Sequence, residues 1–215
     1  MENDIVFRMQ IGLFFVDLLR NPNEVAEKIT ENLGNIFEKY EGEYPLNIYP
    51  FVSNQILRDN NKSSSLTFTP ERMDYICYRL EEQDINLETF IADSLEIAKE
   101  TLKCKPIGRI GIITYIFRNE KKPTDYISQN YFKNNILKNP QEISFRYNVK
   151  SQYKDTQINN ITSFETVKEM SIDNKKENGI IITRDINCNF KSSGISYEFI
   201  FGLLKEYKQE FLSSI

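Results

Sequence analysis

A chain of 215 residues and 25.4 kDa, 40% hydrophobic and 27% charged, can bury a real core as one large domain or two small ones and is too apolar to be disordered. Its formal charge of −4 argues against a general nucleic-acid binder. It has no histidine, which excludes Ser-His-Asp and Cys-His catalysis, histidine-based zinc sites and the His-x-Glu deaminase signature.

The longest apolar run, Ile11 to Val16, is too short to span a bilayer and is followed by Asp17 and Arg20. The opening Met1-Glu2-Asn3-Asp4 is acidic where a signal peptide would be basic, so neither a targeting nor a membrane segment is expected. Cys77, Cys104 and Cys188 are odd in number and far apart, with no Cys-x-x-Cys. They read as buried thiols of a reducing, cytoplasmic setting.

Residues 5–16 alternate as a strand, with Ile5, Phe7, Met9, Ile11 and Leu13 on one face. Asn21-Pro22 opens a helix striped by Val25, Ile29, Leu33, Ile36, Phe37 and Tyr40, which Gly42 ends. Residues 46–57 read as a strand that Pro50 marks as an edge or a bulge. The loop Asp59–Ser65 leads to an extended stretch over 66–80, bent by Pro70. Asn86 caps the next helix, whose stripe is Leu87, Ile91, Leu95, Ala98 and Leu102, and Pro106 and Gly108 stop it.

Residues 109–118 are apolar at most positions and read as a central strand buried on both faces, with Ile110, Ile112, Ile113, Tyr115 and Phe117 inaccessible. Thr124 caps a shorter helix carrying Tyr126, Ile127 and Tyr131. Extended segments follow at about 142–153, 157–170 and 179–190, the last preceded by a turn over Asn174–Gly179. A helix from about Ile195 closes the chain, striped by Tyr197, Ile200, Phe201, Leu204 and Phe211.

The order β-α-β-β-α then β-α-β-β-β-α predicts an α+β fold, a mixed or antiparallel sheet with helices packed on it. Two tandem ferredoxin-like halves, 1–106 and 107–215, in one continuous compact unit would explain why Ile11-Gly12-Leu13 and Ile110-Gly111-Ile112 occupy equivalent places.

Residues 109–120, Arg-Ile-Gly-Ile-Ile-Thr-Tyr-Ile-Phe-Arg-Asn-Glu, resemble the central strand of a sporadically distributed, uncharacterised bacterial protein family. There an Arg-Leu-Gly-Leu-Arg-Tyr-type strand follows the second helix. The opening strand Ile5–Val16 is similar to that family's first strand. Ile181-Ile182-Thr183-Arg184-Asp185-Ile186-Asn187, with the Phe-bearing helix after it, resembles its last strand and helix. The chain departs from the pattern where the usual second arginine is replaced by Ile113 or Thr114. The resemblance implies no activity, since the family has no established catalytic residues.

Glu120-Lys121-Lys122, at the end of the strongest strand, satisfies the Glu-x-Lys of divalent-metal nucleases. The partner carboxylate such a site needs should come from a preceding strand, but Asp93 and Glu96 fall in a predicted helix. The other reading is a solvated turn. Asp185 lies in or at the end of a strand, where it is either functional or paired with Arg184, Arg109 or Arg118.

The segment 118–154 is basic. Arg118, Lys121, Lys122, Lys133, Lys138, Arg146, Lys150 and Lys154 face Glu120, Asp125, Glu142 and the adjoining Asp155, a net +4 against −8 for the rest. Aromatics interleave it, as a single-strand nucleic-acid platform requires. Yet alternation in Phe145-Arg146-Tyr147-Asn148-Val149-Lys150 puts rings and cations on opposite faces, which counts against a platform. Cys77 and Cys104 have cations nearby but no base, so the inert reading is the better one.

No catalytic, cofactor or metal residue is therefore assigned, and no cofactor is expected. The sequence reads as a non-enzymatic binding or assembly subunit of a multi-protein bacterial or phage-related system, defence systems among them. Its partner is a protein or a second copy, and no membrane is involved. Arg118, Lys121, Lys122, Arg146 and Lys150 are candidate nucleic-acid or partner contacts, and Ile48, Tyr49, Phe51 and Val52 a candidate protein interface. The alternative is a nucleic-acid-acting protein, either a single-strand binder through 118–154 or a divalent-metal nuclease.

Overall fold

Strand β1 (Asp4–Phe15) and strand β6 (Ile107–Asn119) lie side by side at the middle of one antiparallel sheet. A computed structural model describes residues 4–20, 22–33, 39–43, 54–58, 63–80, 83–132, 140–172 and 174–214. The other strands are β2 (Lys39–Glu43), β3 (Asn54–Arg58), β4 (Ser64–Phe68), β5 (Arg72–Tyr78), β7 (Ser144–Tyr153), β8 (Thr156–Ile172) and β9 (Lys175–Cys188). The helices are α1 (Pro22–Asn32), α2 (Leu87–Cys104), α3 (Pro123–Tyr131) and α4 (Tyr197–Ser214). The nine strands run in the order β2-β3-β4-β5-β1-β6-β9-β8-β7, and every neighbouring pair is antiparallel. The α+β class is as expected.

With nine strands, the sheet is larger than expected. The extended stretch 66–80 is a hairpin rather than one bent strand. Thr69 closes its turn by donating its backbone N–H to the Arg72 carbonyl at 2.8 Å, and its hydroxyl accepts from the Arg72 N–H at 3.1 Å. Helix α1 stops at Asn32, and Lys39–Glu43 form β2, although the helical stripe continued to Tyr40. The expected interface residues Ile48, Tyr49, Phe51 and Val52 lie outside the described residues, and the chain from Asn54 forms β3, paired on both sides. Strand β9 begins at Lys175, four residues ahead of the expected start, because Asn174 turns the chain with φ +61°.

Two helices show why they start where they do. The Asn86 side chain accepts from the Thr89 N–H at 3.0 Å, which satisfies one of the free donors at the start of α2. Helix α3 has no side-chain cap. It opens on Pro123 rather than behind Thr124, since proline needs no donor partner at a first-turn position.

All four helices lie on the same side of the sheet. There Met9, Ile11, Leu13 and Phe15 of β1, with Ile110 and Ile112 of β6, pack under Val25 and Ile29 of α1, Phe90 and Ile97 of α2, and Ile200, Leu203 and Leu204 of α4. A smaller cluster gathers Ile116, Phe164, Ile180 and Ile182 around Ile127 of α3. Burial of each such side chain contributes roughly 1.5–3 kcal/mol. The expectation that β6 is covered on both faces is corrected. Ile110 and Ile112 are fully buried under the helices, whereas Ile113 and Tyr115 on the other side, where none of the described helices packs, are only half-buried. Phe117 shares that side and is fully buried, its ring lying against Gly179.

Candidate functional site

Side chains alternate along a strand, and directly paired residues project to the same face. The helix-free face of the central strands is therefore built from Arg8, Gln10, Gly12 and Phe14 of β1, with Arg72, Asp74, Ile76 and Tyr78 of β5 on one flank. Arg109, Gly111, Ile113 and Tyr115 of β6 lie on the other, followed by Asp185 and Asn187 of β9.

The charged and aromatic side chains of β1, β5 and β6 form one connected array. Arg8 Nη2 donates to Gln10 Oε1 at 2.7 Å, and Gln10 Nε2 donates to Asp74 Oδ1 at 2.8 Å. The other Asp74 oxygen lies 2.8 Å from Arg72 Nε. Asp74 is only 5% exposed, and these two bonds supply the partners a buried carboxylate needs. The Arg8 guanidinium stands 5.0 Å from the Tyr115 ring and 5.9 Å from the Tyr78 ring. Phe14 lies between two cations, Arg109 at 5.0 Å and Arg72 at 5.4 Å. At the centre Gly12 and Gly111 face each other, and Asp74 Oδ1 and the Phe14 ring lean over Gly12. Beyond it Asp185 accepts from Asn187 Nδ2 at 2.8 Å, and Asn159 donates to Asn187 Oδ1 at 3.1 Å.

The residues singled out from sequence are distributed otherwise. Asp185 pairs with Asn187 and not with an arginine. Arg184 alternates to the helix side, and so does Arg118, which clamps both Asp4 oxygens at 2.6 and 2.7 Å and donates to Tyr126 Oη at 2.8 Å. The bonds to Asp4 push the already high Arg118 pKa further up. Arg146 and Lys150 project together from the helix-free face of β7, exposed. Lys121 and Lys122 sit in the turn before α3, beside a depression that also takes in Glu142, Glu165 and Lys168. The structure therefore brings Arg146 and Lys150 together and places Arg118 on the opposite side of the sheet.

Glu120 folds back on its own turn and accepts the Lys122 N–H at 3.1 Å. Asp93 accepts the Tyr75 hydroxyl at 2.7 Å, on α2. Among the described residues no three of His, Cys, Asp or Glu gather as a metal-binding group. No described helix is long and apolar enough to cross a membrane. No family model matches the chain, and no curated protein matches it.

A second concavity, of about 320 Å³, lies on the helix side between α3 and the end of α4. Its floor is Phe164, Ile182 and Ile186, and Tyr131, Arg184 and Tyr207 stand around it. Tyr207 shares a 2.5 Å hydrogen bond with Thr114, and burial pushes its hydroxyl up to about 12. Burial also raises Tyr131, and the nearby Arg184 charge opposes the rise at both tyrosines.

The array around Asp74 was missed from sequence. Its one signal was the Ile-Gly-Leu and Ile-Gly-Ile equivalence, which turns out to mark a direct glycine–glycine pairing.

Proposed function

We propose that this protein is a non-catalytic binding subunit that docks a partner protein on the helix-free face of its sheet, within a multi-protein bacterial or phage-related system. The observation that carries the reading is the order of that face: Arg8 against Tyr115 and Tyr78, and Phe14 between Arg72 and Arg109. Arginine and aromatic side chains are the types enriched where proteins meet. Here stacking already holds them, so less conformational freedom is lost when a partner arrives. An open antiparallel face alone would say little, since such faces often meet water.

A protein fits better than a nucleic acid. Asp74 stands among the arginines and Asp185 lies further along the same face, so the face carries both signs where a phosphate backbone would favour uniform positive charge. The tandem ferredoxin-like reading, with halves 1–106 and 107–215, accompanies this proposal: β5 returns beside β1 as β9 returns beside β6. The resemblance of Arg109–Glu120 to the sporadically distributed bacterial family is consistent with a subunit role and adds no activity.

The test is co-purification with products of neighbouring genes, using the wild type and an Arg8→Ala/Arg109→Ala variant of unchanged melting temperature. Loss of the partner in the variant alone supports the face. Tight, salt-sensitive binding of single-stranded oligonucleotides that depends on Arg8 and Arg109 would overturn it in favour of nucleic acid.

A further inference from the structure

Among the described residues strand β7 ends the sheet. All ten of its residues pair with β8 on one side, from Ser144 opposite Glu165 to Tyr153 opposite Thr156, with no bulge. Half of its backbone N–H and C=O groups point the other way. Natural edge strands are usually short, bulged, proline-bearing or charged, and β7 uses only the last device.

The helix side of β7 is roofed at its ends and bare between them. Phe145 stacks on Phe164 at 4.8 Å and meets Tyr131 and Phe132 beside α3. Tyr153 packs edge-on to Phe199 of α4, in a space that only Gly202 leaves open, since a Cβ there would come within 1.7 Å of the Tyr153 oxygen. Between these anchors Tyr147 and Val149 remain 47% and 58% exposed. Tyr147 lines the 320 Å³ groove. On the opposite side the same stretch carries Arg146 and Lys150, about 13 Å apart along the strand, and β7 contains no acidic residue.

We propose that β7 captures an extended segment of a partner protein as a tenth strand. The segment's pattern is acidic, apolar, any residue, apolar, acidic. In an antiparallel pairing the two acidic side chains lie opposite Arg146 and Lys150, and the two apolar ones cover Val149 and, at the groove, Tyr147. Main-chain hydrogen bonds supply affinity and the alternating side chains supply selection, as in other strand-addition sites. Charge rules against a second copy as the occupant. Two β7 strands would bring four cations together with no anion.

A randomised display library panned against the full-length protein tests this. Enriched segments should share the stated pattern, and their binding should slow amide exchange along β7. The exposed pair Arg146→Glu/Lys150→Glu, checked for an unchanged melt, should weaken them by about tenfold or more and enrich basic segments instead. Three results would overturn the proposal: no enrichment, enrichment indifferent to the charge swap, or a dimer by light scattering that the swap abolishes. The Arg8→Ala/Arg109→Ala variant lies on β1 and β6 and should leave capture intact, which separates this edge from the helix-free face.

Discussion

Gly12 of β1 and Gly111 of β6 are paired directly across the centre of the sheet, yet only one of them is required to be glycine. A Cβ on Gly12 would come 2.9 Å from Asp74 Oδ1, whereas one on Gly111 would meet nothing nearer than Asn187 Cβ at 3.6 Å. Asp74 cannot simply move, since Gln10 and Arg72 hold its two oxygens.

Gly12→Ala should therefore cost about 1–3 kcal/mol by displacing a buried carboxylate from its partners. Gly111→Ala should be neutral or stabilising by up to about 1 kcal/mol, because alanine loses less freedom on folding. Urea midpoints of the two variants decide the matter. Equal effects would mean that the Asp74 cluster does not constrain β1.

A neighbouring pair on β6 tests the sidedness of the whole sheet. Ile112 is completely buried beneath the helices and Ile113 is half-buried on the open face. Ile112→Asp should abolish soluble expression by burying an unpaired charge. Ile113→Asp should yield folded protein of reduced stability. Loss of both variants would require cover on both faces of β6.

Helix α2 was legible because Asn86 and the Leu87–Leu102 stripe say the same thing locally, as did the β-branched run of β6. The divergence of Phe145 and Tyr147 from Arg146 and Lys150 was legible too, because strand alternation needs no knowledge of partners. The β2–β5 meander was not. Its strands β2, β3 and β4 are five residues each, and the stripe ending at Tyr40 imitated a continuing helix. The array around Asp74 was hidden for a different reason. Gln10 and Asp74 are 64 residues apart, and their contact depends on the register of β1 against β5, which no local pattern encodes.

Arg118 and Asp4 should show strong coupling. Their side chains are 19% and 17% exposed, and the guanidinium uses two nitrogens on two oxygens. A double-mutant cycle with Asp4→Asn and Arg118→Met should give a coupling energy of about 1–3 kcal/mol. The same cycle at Lys208 and Glu88, where Glu88 is largely exposed, should give under about 0.5 kcal/mol. Comparable values at the two pairs would refute the clamp.

Tyr207 sets an alkaline limit on stability. Its hydroxyl ionises near 10 when unfolded and is pushed up to about 12 in the fold, chiefly by burial. Below pH 10 both states keep the proton, so stability does not change on this account. Between about 10 and 12 the unfolded chain releases the proton while the folded chain holds it, so stability falls as pH rises, by roughly 2–3 kcal/mol in all. Burial raises Tyr75 as well, which adds a fall of the same sign. Tyr207→Phe removes its own share and leaves the buried Thr114 hydroxyl without its partner. The variant should therefore be less stable than wild type by about 1 kcal/mol at neutral pH, and the gap should close or reverse toward pH 12. Urea midpoints followed from pH 8 to 12 give the comparison. Two curves that fall in parallel would show that Tyr207 does not hold its proton through folding.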